Sequence, residues 1–250
     1  MTELYIVGIG PGGGVGMTIE ASKALENCEV IVGYSAYIDL IRSEFSHKEL
    51  IPGTMKSEIE RCRQCLELAA QGRKTALICS GDAGVYGMAS PCLELAPEYP
   101  DVSIKVVSGV TAALSGAAVL GAPLGHDFCT ISLSDLLTDR SIIDKRLEHA
   151  AQADLVIVLY NPGSRKRRDC LKRACELLLR HIEPERCCGV VRLIGREGES
   201  GFVTTLSELS SYEPDMFTTI FIGNSETKVM GGRMVTPRGY GNGKDNTAEG

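Results

Sequence analysis

Three glycine-bearing turns stand where a chain can grip a small polar ligand: GIGPGGG at 8–14, SGDAGVYG at 80–87 and SGVTAA at 108–113. Backbone N–H groups bared by glycine, with small hydroxyls such as Thr111, bind carboxylates or ribose hydroxyls without filling the space between. Absent side chains equally let a neighbouring loop approach, so a tight turn with no ligand is an even alternative for the first segment taken alone. Gly8, Gly10 and Gly13 carry the GxGxxG spacing of a dinucleotide site. Two features oppose that reading. Pro11 and the extra glycines keep the chain irregular where a helix N-terminus should meet a pyrophosphate, and the next apolar run ends at Val32, Gly33 and Tyr34, where a ribose-binding carboxylate is expected.

Other residues offer proton transfer and charge. His126 can donate or accept near neutral pH, and its competing reading is a histidine that satisfies a loop carbonyl. Asp135, in SLSDLL, can act on substrate, or its Ser-x-x-Asp placement can cap a helix. Arg165, Lys166, Arg167 and Arg168 follow an NPGS turn at a helix start, where cations oppose the macrodipole. A grip on carboxylates explains them, with Arg165 foremost because it directly follows the turn; a solvated helix face is the alternative. Cys62 and Cys65 form a CxxC, but Ile59, Cys62, Leu66 and Ala69 fall on one helix face and no second CxxC completes a zinc site. Buried thiols are expected there, and no metal ligand set is assigned. Cys187 and Cys188 are adjacent, so a strand sends them to opposite faces.

These residues need elements to position them. Residues 3–9 read as a buried strand, followed by a helix from Thr18 to Glu26, strands at 29–32 and 49–51, and a helix over 55–71 stopped by Gly72. A strand at 74–79, a helix after SGDAGVYGMA, a strand at 102–107 and a small-residue helix after SGVT complete an α/β alternation with a parallel sheet. Turn formers cluster at Gly121–Gly125 and set a domain boundary, giving 1–122 and 123–240, with a polar tail at 241–250. The second half offers strands at 128–132, 154–160, 188–194, 202–205 and 218–223 with helices near 140–152 and 165–182. Such short connections predict a mixed sheet.

With 44% apolar and 23% charged residues, the 250-residue chain has the balance of a globular protein. No apolar run approaches the roughly 20 residues of a membrane span. No leader pattern opens the chain, and its ten cysteines are scattered, so a reducing cytoplasm is expected. A formal charge of −6, 5% aromatic residues and no tryptophan argue against nucleic-acid binding.

As an ordered series, GIGPG (8–12), SGDAGVYG (80–87), SGVTAA (108–113), ISLSDLL (131–137), LYNPGSR (159–165) and IGN (222–224) resemble the motifs of tetrapyrrole methylases over nearly the whole chain. HDFCTISLSDLLT, YNPGSRKRRD and TPRGY are similar to the branch that methylates carbon 17 of precorrin-3B or cobalt-precorrin-3. The resemblance implies the two-domain α/β tetrapyrrole methylase fold, with a mainly parallel first sheet and a mixed second one. It also implies a cleft holding folded S-adenosyl-L-methionine, a homodimer, a precorrin substrate and ring contraction coupled to methyl transfer. Carried over by position, the cofactor residues are Pro11, Ser80, Gly81, Asp82, Val85, Tyr86, Thr111, Ala112, Asn161, Gly223 and Asn224. Relatives often have GDP where this chain has Gly81, Asp82 and Ala83, and many carry methionine at the place of Asn161. Ser132 and Arg165 are the substrate-binding candidates, and His126 and Asp135 the catalytic ones. The rival functions are a tetrapyrrole methylase acting at another carbon, and a nucleotide- or RNA-binding protein using the basic run.

Overall fold

The computed structural model describes residues 2–54, 57–163 and 169–240. They form two compact units: the first runs to Ser115 and takes in Leu193–Glu199, and the second holds Gly116–Arg192 and the chain from Ser200 on.

The first unit alternates β1 (Thr2–Gly8), α1 (Ile19–Glu26), β2 (Val30–Tyr34), α2 (Ser35–Ile41), β3 (Glu49–Gly53), α3 (Glu58–Ala70), β4 (Thr75–Cys79), α4 (Ala89–Leu95) and β5 (Val102–Val107). Its strands form a parallel sheet in the order β3-β2-β4-β1-β5. The inner strands β1, β2 and β4 read as nearly unbroken apolar runs because both faces are covered. On β1 and β4, Leu4, Ile6 and Leu77 join a core with Cys62, Cys65 and Leu66 of α3, while Val7, Ala76 and Ile78 join Leu25 of α1 and Ile38 and Ile41 of α2 on the other face. This is the period of two expected of a strand. Thr18 caps α1, its side chain accepting from Ala21 N at 3.1 Å. After α3 the chain turns at Gly72, with φ 92°. The CxxC thiols are fully buried in this core, and among the described residues no group of three or more His, Cys, Asp or Glu is placed to hold a metal. Helix α2 is only two turns long, and its one signal in the sequence is the Ile38/Ile41 pair, both buried.

Helix α5 (Ala112–Leu120) carries the chain into the second unit. The division falls inside this helix rather than at Gly121–Gly125, because its last turn packs on the second sheet. A Cβ added to Gly189 would come within 2.4 Å of Leu120, and one added to Gly201 within 2.8 Å of Val119. There follow β6 (Gly121–Ala122), β7 (Phe128–Ser132), α6 (Arg140–Gln152), β8 (Val156–Tyr160), α7 (Cys170–Leu178), β9 (Cys187–Arg192), β10 (Ser200–Thr205), α8 (Leu206–Leu209), β11 (Thr218–Ile222), β12 (Lys228–Met230) and β13 (Arg233–Val235). The main sheet is mixed, in the order β10-β9-β11-β8-β7, with only β7 and β8 parallel. A smaller sheet, β12-β13-β6, was not anticipated. Gly231 and Gly232 (φ 56° and 76°) make its hairpin turn, and that adjacent pair is the signal that would have revealed it.

Candidate functional site

In the first unit the candidate residues gather where the parallel strands end, the edge at which open α/β sheets bind ligands. Gly10 and Gly81 exchange both backbone hydrogen bonds at 3.0 Å each, which joins the loop after β1 to the loop after β4. A Cβ on Gly8 would lie 2.6 Å from Gly81 O, and one on Gly109 2.2 Å from that same oxygen. Loop-to-loop packing therefore requires glycine at positions 8 and 109. Gly81 differs: a Cβ there would meet nothing closer than 3.7 Å, so its φ of +68° is what calls for glycine. Helix α1 begins only at Ile19, well beyond Gly13, and β2 ends without a carboxylate at Gly33 and Tyr34. A nicotinamide nucleotide has neither its helix N-terminus nor its ribose acceptor here.

Asp82 shapes the edge. Its Oδ1 accepts from Gly84 N (2.8 Å) and Val85 N (3.0 Å), and its Oδ2 from Gly109 N (2.9 Å), so one carboxylate closes its own turn and ties it to the SGVTAA loop. Where GDP would stiffen the turn with a proline ring, this chain has Ala83, fully buried, and three accepted amide bonds. Tyr86 takes a left-handed φ of 54° and is half exposed. Thr111 stands just before α5, its carbonyl receiving Leu114 N and Ser115 N, and Ala112 opens the helix 3.8 Å from a Cβ built on Gly81. Pro11 packs its carbonyl against Gly16 and Gly195. Ser80, Gly81, Asp82, Val85, Thr111 and Ala112 thus form one continuous patch, with Pro11 beside it.

One member escaped the motif series. Arg196 lies in Leu193–Glu199, the segment between β9 and β10 that belongs to the first unit. Its Nη2 donates to Ser80 Oγ at 3.3 Å, and its guanidinium sits 6.0 Å from the Tyr37 ring centre. Burial lowers its pKa, and burial also raises that of Tyr37. The density of glycine and charge in IGREGES was its only signal in the sequence.

In the second unit the candidates divide. At the C-terminal ends of β7 and β8, Asn161 (φ 52°) donates from Nδ2 to Ser132 Oγ at 3.0 Å. Asp135 pairs with Arg140 at 2.6 Å beside a cavity of about 180 Å³ that Asp144 and Arg173 also line. Capping of α6 falls to Asp139, which accepts from Ser141 N at 2.8 Å, not to Asp135. Arg192 and Asp215, paired at 2.6 Å, mark this same end on the neighbouring strands.

Exposed His126 and the pair Gly223–Asn224 lie at the other end of these strands. Asp127 O accepts from Val156 N, and Ile222 pairs with Ile157 near the start of β8. Five residues of strand, about 16 Å, separate the two groups. Asn224 is 6% exposed, and its Oδ1 already accepts from Glu226 N and Thr227 Oγ1. The structure therefore brings Ser132 and Asn161 together and parts them from Gly223 and Asn224, as it parts Asp135 from His126. Arg165 lies outside the described residues.

Against known proteins, the model of the tetrapyrrole (corrin/porphyrin) methylases matches residues 3–210. The chain is 46% identical over 238 residues to a probable cobalt-factor III C(17)-methyltransferase of Salmonella typhimurium, covering 95% of this chain and 99% of that one. It is 39% identical to the cobalt-factor III methyltransferase of Priestia megaterium over 95% of its own length but 45% of that longer protein. Among solved structures, the methyltransferase CobJ superposes with a TM-score of 0.88 at 36% identity, over 95% of this chain and all of the other. The chain belongs to the tetrapyrrole methylase family.

Proposed function

We propose that this chain is an S-adenosyl-L-methionine-dependent methyltransferase of cobalamin biosynthesis that methylates carbon 17 of precorrin-3B or its cobalt-loaded counterpart and contracts the ring. The observation that carries this is end-to-end similarity to the Salmonella protein, 46% identical with 99% of it covered. The first unit's strand-end patch fits a donor of this kind, offering the Ser80 hydroxyl, the Thr111 segment and the left-handed Gly81 turn side by side.

When bound, the donor supplies a methyl group activated by its sulfonium; the macrocycle's carbon provides the new bond's electron pair, and the old carbon–sulfur pair leaves with sulfur. What the chain contributes is alignment. Ser80, Gly81, Val85, Tyr86, Thr111 and Ala112 hold the donor, and Asp82 and the Gly10–Gly81 bridge keep their loops from moving. Holding reactants in line is worth roughly 7–11 kcal/mol at its upper end. Ser132 and Arg165 hold the substrate, while Asp135 and His126 act on it at separate places. A broad macrocycle with two reacting regions accommodates that separation. The active form is a homodimer, which light scattering of the purified protein tests, and it works in the cytoplasm, which fractionation of the cells tests.

The deciding experiment incubates the protein with methyl-labelled donor and either metal-free or cobalt-loaded precorrin-3, then reads product mass and label position. One added methyl at carbon 17 with a contracted ring is expected. Label at another carbon would assign a sister methylase, and no label with either substrate would end the reading.

A further inference from the structure

Arg196 is delivered to the strand-end edge by a tightly wound piece of chain. Leu193, Gly195 and Gly198 all take left-handed φ, at 54°, 68° and 82°. Arg196 N donates to Leu193 O and Glu199 N to Arg196 O, at 2.9 and 3.0 Å, while Gly195 N donates to Glu199 Oε2 at 2.6 Å. The winding is seated on the first glycine loop so closely that a Cβ on Gly12 would lie 1.6 Å from Gly195 O. Left-handed backbone at a non-glycine residue such as Leu193 costs energy and persists where its surroundings impose it. The product of this construction is a half-buried guanidinium beside Ser80 and over the Tyr37 ring.

A guanidinium's planar set of donors matches a carboxylate better than any other side chain does. Ser80, its neighbour, directly follows β4 at the edge where the methyl donor is placed above. We propose that Arg196 recognises a ligand carboxylate at this edge, an inference that rests on the methyltransferase reading. The carboxylate belongs either to the methionine part of the donor or to an acetate or propionate arm of the macrocycle, which share the same chemistry.

The test compares the full-length wild type with Arg196→Gln and Arg196→Lys. Calorimetry measures Kd for S-adenosylhomocysteine and for its analogue lacking the carboxyl group, and steady-state kinetics measure KM for the cobalt-loaded macrocycle. If the donor is the source, Arg196→Gln weakens S-adenosylhomocysteine about 10- to 100-fold, the range for a charged hydrogen bond, and leaves the analogue and KM unchanged. If the macrocycle is the source, KM rises by that factor and both Kd values hold. Arg196→Lys keeps the charge but not the fork, and shows a smaller loss with the same selectivity; it carries the test if the glutamine variant does not fold. All three constants within about twofold of wild type would overturn the proposal. So would equal weakening of both donor analogues, which reports a displaced loop rather than a lost carboxylate contact. A wild type that neither binds S-adenosylhomocysteine nor methylates the macrocycle refutes the functional reading itself, before any variant is made.

Discussion

The hydroxyl oxygens of Thr227 and Thr236 lie 2.8 Å apart, with the two residues 8% and 2% exposed. Thr236 Oγ1 donates to Pro123 O at 2.6 Å, and Thr227 Oγ1 reaches Asn224 Oδ1 at 3.0 Å, so the pair joins the turn bearing Asn224 to the turn leading into His126. Thr236→Val leaves Pro123 O without that donor in a buried place. A loss of about 1–3 kcal/mol in stability is expected, read from the urea midpoint. An unchanged midpoint would show the chain of hydroxyls to be idle.

Asp82→Asn tests the loop staple. An amide cannot accept at both ends, so either the Gly109 bond or the Gly84 and Val85 bonds are lost. Affinity for S-adenosylhomocysteine should fall about tenfold, near the worth of one hydrogen bond to a charged group, and the melting temperature should fall as well. Unaltered affinity in a folded variant would remove Asp82 from the site.

His126→Ala is expected to cut turnover about 100-fold, within the range of general acid–base catalysis, while donor binding persists. Full turnover with a ring-contracted product would show His126 to be an ordinary loop residue.

Acid should weaken the second unit through Glu183. Its hydrogen bonds to Arg186, at 2.6 and 2.9 Å, hold its carboxyl below the usual glutamate value. A pKa lowered on folding stabilises above the unfolded pKa, near 4.3 for glutamate, and that contribution disappears as pH falls through the folded value. Glu183 is about half exposed, so solvent screens the effect. Urea midpoints of wild type and Glu183→Gln should differ at pH 7 and converge toward pH 3. A constant gap across that interval would refute the linkage.

Burial pushes the thiols of Cys28, Cys79 and Cys175 up to about 12. At pH 8 they are protonated and enclosed, and thiolate is the reactive form. Iodoacetamide followed by peptide mass spectrometry should leave all three unmodified in the folded protein and modify them in guanidinium. Rapid labelling of Cys79 without denaturant would contradict its place in the core.

Long elements with a clear period were legible from residues alone. The helix expected near 140–152 spans Arg140–Gln152, and the strand expected at 128–132 spans Phe128–Ser132. What stayed hidden was short or non-local. Two turns at Ser35–Ile41 are too few to establish a helical period, and Gly121–Ala122 becomes a strand only because β13 pairs with it. For the candidate site, motif order named residues that the fold gathers into a patch on the first unit. It could not say that Asp82 gives its carboxylate to three amides, or that Asn161 after β8 and Asn224 after β11 sit at opposite ends of the second unit's main sheet. Both facts depend on register and on contacts between residues distant in the chain. Arg196 was hidden for the same reason, being a charged loop residue whose neighbours Ser80 and Tyr37 lie more than a hundred positions away in the sequence.

Leu193–Glu199 interrupts the second unit's polypeptide and belongs to the first, so the backbone passes between the units at Ser115, at Arg192 and again at Glu199. No single cut in the gene yields either half intact. A fragment ending at Ser115 lacks the peptide that occupies the hollow over Gly12, and one beginning at Gly116 carries that peptide away from its seat. Truncation or domain exchange in this protein must therefore move three junctions together.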